Sequence, residues 1–321
     1  MILDDLPTTF YRVLAVTFGL LWGSFLNVVI YRVPRGMSVV RPASHCPGCG
    51  KPIKPYDNIP LVSFALLGGR SRCCKTKMSL RYPVVEAIGG VISLAILETV
   101  VFRLAPTTSL AYAGAVYAAD FTLAMALVAA AFIDVEFMII PESISFGGAL
   151  LGLATSSFRG LAFWESLLGA AVGFVVVWLP FCVIYPRIRG GKVGMGLGDA
   201  KLTMLAGAWF GWQGALGVLG AGAVQGTVAV GLLLAFGTRF DDPEAVKRER
   251  EELKAELATM SPEERAEVEA ELAGDPLMDE AEAGLGKARI AFGPFLILAT
   301  LELLLAGREL IANWFEGLVR P

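Results

Sequence analysis

Apolar residues in this chain gather into runs about as long as a bilayer is thick, separated by polar stretches of very unequal length. A hydrocarbon core of about 30 Å calls for roughly 20 consecutive apolar residues in a helix. Runs of this kind predict spans near 10–31, 83–102, 109–133, 138–157, 163–186, 200–211, 214–237 and 290–312. The sixth is short and Gly-rich, and a tilted or half-buried segment suits it. Backbone groups in lipid must be satisfied within their own segment, so these runs are expected to be helices. The expected fold is an all-α polytopic membrane protein with about eight transmembrane helices.

Two polar inserts interrupt that pattern. The chain divides into a first transmembrane helix (1–34), a Cys-containing module (35–82), a transmembrane core (83–237), an acidic insert (238–289) and a last transmembrane helix (290–321). The module is rich in Pro, Gly, Cys and Lys, with little helical periodicity. Within the insert, residues 241–283 read as a soluble helical hairpin. Val246, Leu253 and Leu257 share a face of its first helix, and Val268 and Leu272 support the second. Ser261-Pro262-Glu263-Glu264 predicts the second helix start: a Ser cap, Pro at the first position and Glu three residues after the cap.

Composition agrees with the pattern. Of 321 residues 55% are hydrophobic and 18% charged, against about a quarter charged in soluble domains. The net charge of −3 conceals a strong asymmetry, because residues 239–289 hold 16 of the 30 acids and only 8 of the 27 bases. Loops 32–82, 187–201 and 238–289 carry 10, 4 and 8 of the Lys and Arg residues. The positive-inside rule makes those loops cytoplasmic, and eight spans would then leave both termini outside. The first apolar run lacks a basic lead-in and a small-residue cleavage site, so it reads as a retained helix. Nothing in the pattern suggests nucleic-acid binding.

Charged residues at the rim of a span need a reason. Asp134 ends the third apolar run, at a turn expected over 134–138, and Asp199 begins the sixth within Gly194-Met195-Gly196-Leu197-Gly198-Asp199-Ala200-Lys201. Both therefore reach the cytoplasmic face, although 65 positions separate them. Two carboxyl groups held together in a low-dielectric place share a proton. The ionised member activates water while the protonated one polarises a peptide carbonyl, which is peptide hydrolysis without a Ser nucleophile. Gly196 and Gly198 would let backbone approach the acid closely. Helix capping is the alternative role for either Asp alone.

Four of the five cysteines lie in the module: Cys46 and Cys49 as a Cys-x-x-Cys pair, then Cys73 and Cys74 after 23 residues. The spacing resembles a zinc ribbon; His45 is a further candidate ligand, and a metal-free module is the alternative. Adjacent cysteines are expected to have difficulty reaching one metal together. Cys182, inside a span, reads as packing. Asn27, Glu86, Glu98 and Asp120 are polar groups in apolar helices, suited to interhelical hydrogen bonds; Asn27 and Glu86, toward the cytoplasmic ends, are also candidates for a role near substrate.

The motifs carry a resemblance to type IV prepilin peptidases. They are Gly23-Ser24-Phe25-Leu26-Asn27 running on to Arg32, Cys46-Pro47-Gly48-Cys49, Asp57-Asn58-Ile59-Pro60 and Arg81-Tyr82-Pro83-Val84-Val85-Glu86. The stretch from Asp134 to Glu142, the Gly194–Leu202 stretch with Lys201, and Phe292-Gly293-Pro294-Phe295-Leu296 complete them. The resemblance implies that Asp134 and Asp199 are the catalytic aspartates, with Gly196, Gly198, Lys201, Glu142, Asn27 and Glu86 supporting the site. It implies a bacterial inner-membrane enzyme that cuts prepilins and pseudopilins after the glycine ending a short basic leader. Many such enzymes also methylate the new N-terminus with S-adenosylmethionine. The family usually carries two Cys-x-x-Cys pairs; here Ser71 stands where the third cysteine would fall. The acidic insert lies outside the usual pattern. Two other readings share parts of the pattern: a presenilin-like aspartyl protease, which has Gly-x-Gly-Asp but places its first Asp mid-helix, and a transporter or assembly scaffold, which would place its carboxylates along a path near the midplane.

Overall fold

A computed structural model describes residues 1–188, 195–236, 244–271 and 291–307. The described residues are helical, with isolated antiparallel bridges in place of strands. The helices are α1 (Thr8–Arg32), α2 (Val62–Leu66), α3 (Arg81–Thr99), α4 (Leu110–Phe137), α5 (Glu142–Ala154), α6 (Phe163–Val177) and α7 (Tyr185–Ile188). Then follow α8 (Leu197–Ala235), α9 (Glu244–Thr259), α10 (Pro262–Glu271) and α11 (Gly293–Ala306). A π-helical stretch, Trp178–Ile184, joins α6 to α7.

Among the described residues each of the eight apolar runs contains helix, but not as eight equal spans. Five helical segments are long and apolar enough to cross a membrane: Thr8–Arg35, Arg81–Arg103, Leu110–Phe137, Phe163–Ile188 and Leu197–Ala235. With 13 and 14 residues, α5 and α11 are shorter, reaching about 20 Å at 1.5 Å per residue. The break expected between 211 and 214 is a kink instead. Gly211 adopts φ +74° inside α8, a conformation glycine takes without steric cost.

Contacts divide the chain into two units, 1–129 with 301–321, and 130–300. In the first, α1 packs along α3 through small residues: a Cβ added at Gly23 would lie 2.7 Å from the Glu86 Cα, and one at Gly89 would lie 3.0 Å from the Gly23 Cα. Small faces of this kind let membrane helices meet backbone to backbone. Arg12 and Glu98 form an ion pair on these helices at 2.5 Å. Tyr11, Ala15, Leu97, Val101 and Ala113 make a buried cluster.

In the second unit α8 is the central element, packed against α6 and α5. Gly169 and Gly173 of α6 press on the backbone of Gly207 and Thr203, and the Ser166 hydroxyl donates to the Ala208 carbonyl at 2.5 Å. Arg159 donates to the carbonyls of Trp209 (2.9 Å) and Gly152 (2.5 Å) while its guanidinium lies 4.1 Å from the Trp209 ring centroid. A Cβ at position 207 would collide with the Gly169 carbonyl. Gly207→Ala is therefore expected to destabilise the protein by about 1–3 kcal/mol, read as a lower Tm in detergent. Gly231→Ala, whose Cβ would meet nothing within 4 Å, is the control and should leave Tm in place.

The acidic insert is helical where described. Glu264 of α10 accepts from the Ser261 backbone N–H at 3.1 Å and its own N–H donates to the Ser261 hydroxyl at 3.4 Å, with Pro262 first in the helix. That is the capping arrangement the sequence predicts. Leu257 is buried; Leu272 and the ends of the insert lie outside the described residues.

Candidate functional site

Asp134 and Asp199 both belong to the second unit. Asp134 is 5% and Asp199 9% exposed, so neither is a solvated surface carboxylate. The two interact electrostatically. Asp134 does not occupy a turn: α4 continues to Phe137 and places it in the last helical turn. The helix stops there, because Met138 takes φ +55° and its N–H bonds the Asp134 carbonyl at 2.8 Å. Pro141 disfavours helical geometry at Ile140, so the reversal is written just downstream of the expected position. The loop placement that set this chain apart from presenilin-like proteases therefore does not hold.

Asp199 lies in the first turn of α8, which starts at Leu197 after an extended Gly196. The Asp199 N–H donates to the Gly196 carbonyl at 3.1 Å. A Cβ on Gly196 would sit 3.5 Å from an Asp199 carboxylate oxygen, and one on Gly198 3.4 Å from Ile140. At the N-terminus of α11 a Cβ on Gly293 would overlap an Asp134 oxygen and come 3.0 Å from Ile140. Three glycines thus leave room around two buried acids. Lys201, one turn into α8, pairs with Glu142 at the start of α5 and lies 5.4 Å from the Phe146 ring centroid.

The remaining predicted residues fall in the first unit. Asn27 donates to the carbonyls of Gly23 (3.3 Å) and Tyr82 (3.2 Å), linking α1 to the start of α3. Glu86 accepts the Leu61 N–H at 2.8 Å and so ties the cysteine module to α3. Leu61 itself has φ +60°, a strained conformation for a non-glycine residue.

The module contains two matching knuckles. The Cys46 N–H bonds the Lys51 carbonyl at 2.8 Å and the Gly50 N–H bonds the Cys46 carbonyl at 2.9 Å. Twenty-five positions on, Ser71 bonds Thr76 at 2.9 Å and Lys75 bonds Ser71 at 3.1 Å in the same pattern. Gly50 and Lys75 both take positive φ, and bridges at 45–52 and 70–77 close both turns. Ser71 therefore occupies the place of Cys46, and Cys74 that of Cys49. Cys73 falls where the first knuckle has Gly48, and from there its sulfur reaches the cluster. All four Sγ atoms lie within 4.8 Å of one another, including Cys46–Cys74 at 3.5 Å and Cys49–Cys73 at 3.2 Å. The expected difficulty of using adjacent cysteines together is thus removed by the turn. His45 stands outside the cluster, with Nδ1 3.3 Å from the Ala43 carbonyl. Four sulfurs around one zinc at about 2.3 Å would be roughly 3.8 Å apart, so the group fits such an ion. Hydrogen bonds from Ser71 and Thr76 hold the Cys74 thiol down to about 5, while the neighbouring thiols push Cys49 up, so the cluster readily supplies one thiolate and a cation would favour the others. Asp57 of the Asp57-Asn58-Ile59-Pro60 motif grips Arg72 of the second knuckle at 2.8 Å.

Cys182 stays within a membrane-capable segment, as the sequence predicts. It lies in the π-helical stretch, its thiol is 3.4 Å from the Met195 carbonyl, and it interacts with Asp199. The stretch contains Pro180 in mid-span. A proline removes a helix hydrogen bond, and π-helical turns cluster at functional sites.

Two family models match the chain: the bacterial peptidase A24 N-terminal domain over residues 17–100 and the type IV leader peptidase family over 121–236. The prepilin leader peptidase/N-methyltransferase of Myxococcus xanthus is 36% identical over 95% of this chain and 93% of its own length. Proteins of the same description from Klebsiella pneumoniae and Aeromonas hydrophila are 37% and 34% identical, over 61% and 70% of this chain and 83% and 82% of theirs. No solved structure is detectably similar. The two matched models divide between them the cysteine module and the stretch that holds both buried aspartates, and the chain belongs to the type IV leader peptidase family.

Proposed function

We propose that Asp134 and Asp199 are the catalytic dyad of a peptidase that removes the basic leader from type IV prepilins and pseudopilins at the cytoplasmic face of the bacterial inner membrane. The observation that carries this reading is two buried carboxyls 65 positions apart, whose neighbouring glycines, Gly198 and Gly293, both face Ile140. The ionised carboxyl takes a proton from water as its oxygen attacks the carbonyl carbon of the scissile bond. The protonated one donates to the carbonyl oxygen, and collapse of the tetrahedral intermediate passes a proton to the departing amine. Gly196, Gly198 and Gly293 leave room for the substrate backbone, and the Glu142–Lys201 pair fixes the start of α5 to α8. The basic loops support a cytoplasmic orientation.

The relatives' description as N-methyltransferases supports a second step, in which the new amine takes a methyl group from S-adenosylmethionine. The test uses the full chain in liposomes with a prepilin carrying a basic leader, and mass spectrometry of the product. Loss of the leader, and addition of one methyl group when S-adenosylmethionine is present, are the expected results. An intact precursor in the presence of well-folded protein would overturn the peptidase reading.

The module is proposed to hold a structural Zn²⁺ through Cys46, Cys49, Cys73 and Cys74. Elemental analysis of pure protein is expected to find about one zinc per chain, consistent with a single four-thiolate site. Cys73→Ser should lose as much metal as Cys46→Ser, whereas Cys182→Ser should lose none. Full zinc content in Cys73→Ser would remove Cys73 from the ligand set.

A further inference from the structure

The geometry assigns to Ile140 the role of a size filter beside the scissile bond, an inference that rests on the peptidase reading. Ile140 lies in the short link between α4 and α5, two residues after Met138. Its Cβ and Cδ1 are both 3.4 Å from the Cβ position of Gly198, the residue before Asp199. The same Cδ1 is 3.0 Å from the Cβ position of Gly293, which adjoins Asp134. One branched side chain thus stands between the two acid-bearing segments, in the space that both glycines leave open. A peptide whose carbonyl carbon is presented to both carboxyls brings the side chain flanking that bond into the same space.

The link is fastened at each end, so Ile140 cannot easily yield. Met138 closes α4 through its bond to the Asp134 carbonyl at 2.8 Å. Pro141 accepts from the N–H groups of Ile144 (3.0 Å) and Ser145 (3.3 Å) and opens α5. Glu142, the next residue, is paired to Lys201 of α8. Ile139 points outward at 48% exposure while Ile140 is half-buried. A rigid β-branched wall against glycine-lined backbone admits a residue with no side chain and excludes larger ones. The filter therefore selects a glycine at the residue that donates the scissile carbonyl.

The experiment compares prepilins carrying Gly, Ala or Ser at that position, cut by wild type, Ile140→Val and Ile140→Ala in liposomes. The readout is the ratio of kcat/KM for Ala to that for Gly, which cancels differences in the amount of active enzyme. Removing methylene-sized bulk from an apolar pocket shifts discrimination by about 10-fold or more, so the ratio should rise in Ile140→Val and rise further in Ile140→Ala. A ratio unchanged in both variants overturns the filter, as does a wild type that cuts the Ala and Gly substrates equally. If Ile140→Ala fails to fold, the Val variant alone decides. Failure of wild type to cut any substrate would instead count against the peptidase reading, which keeps the two failures apart.

Discussion

Asp134→Asn and Asp199→Asn should each reduce leader removal by at least about 10³-fold, because each deletes one proton-transfer partner of a two-carboxyl mechanism. Asn is nearly isosteric, so neither buried site loses volume, and the variants should reach the membrane in normal amounts with an unchanged Tm in detergent. The losses should not add. Once one carboxyl is gone the other has no partner with which to divide the acid and base roles, so the double variant should be no slower than the worse single one. Cleavage within tenfold of wild type by either single variant, at equal folded amount, would remove that residue from the dyad. Methyl transfer offers an internal check: supplied with an already shortened pilin, both variants should still methylate it if the carboxyls serve hydrolysis alone.

The parts of this fold that could be read from the chain are those fixed by local chemistry. Apolar runs located every helix of the core, because lipid forces backbone hydrogen bonds to close within each run. The cap at Ser261 was legible for the same reason: three neighbouring side chains determine it. Length in the membrane was less legible. The residues around Gly211 could be written as two spans or one, and only packing of α8 against α6 and α5 selects a single bent helix. The end of α4 was misplaced by a few residues, since Val135-Glu136-Phe137 can continue a helix and the stop is delivered by Met138 and Pro141. The two buried aspartates stand out in the sequence because a carboxyl at the rim of an apolar run is conspicuous. Cys182 was legible as a span residue, but the π-helical turn around it was not. Cys73 was misjudged for a related reason. Adjacent side chains diverge in extended or helical backbone, but the tight knuckle at 71–76 turns both sulfurs to one centre. Ser71, which suggested a damaged site, is an oxygen 3.2 Å from the Cys74 sulfur, so the turn is preserved while the ligand moves two places along the chain.

Gly293→Ala should be nearly as damaging as loss of an aspartate, although residue 293 carries no chemistry. The added methyl would occupy the space of an Asp134 carboxylate oxygen and lie 3.1 Å from its carboxyl carbon. Gly293 is the first residue of α11, and Leu296 and Phe295 of that helix rest against Gly222 and Gly226 of α8, so the helix cannot simply retreat. Either the Asp134 side chain rotates away or α11 shifts by a comparable distance. A displacement of about 1 Å in a catalytic group costs on the order of 10²-fold, and that is the expected fall in kcat for leader removal. The substitution tests placement separately from acidity: both carboxyls remain, yet their separation changes. Gly147→Ala in α5 and Gly220→Ala in α8 add the same methyl where it would meet nothing within 4 Å, and both should cleave at wild-type rates. Wild-type kcat in Gly293→Ala would mean that Asp134 tolerates a different orientation, and the close fit between α11 and the acid would then be packing alone.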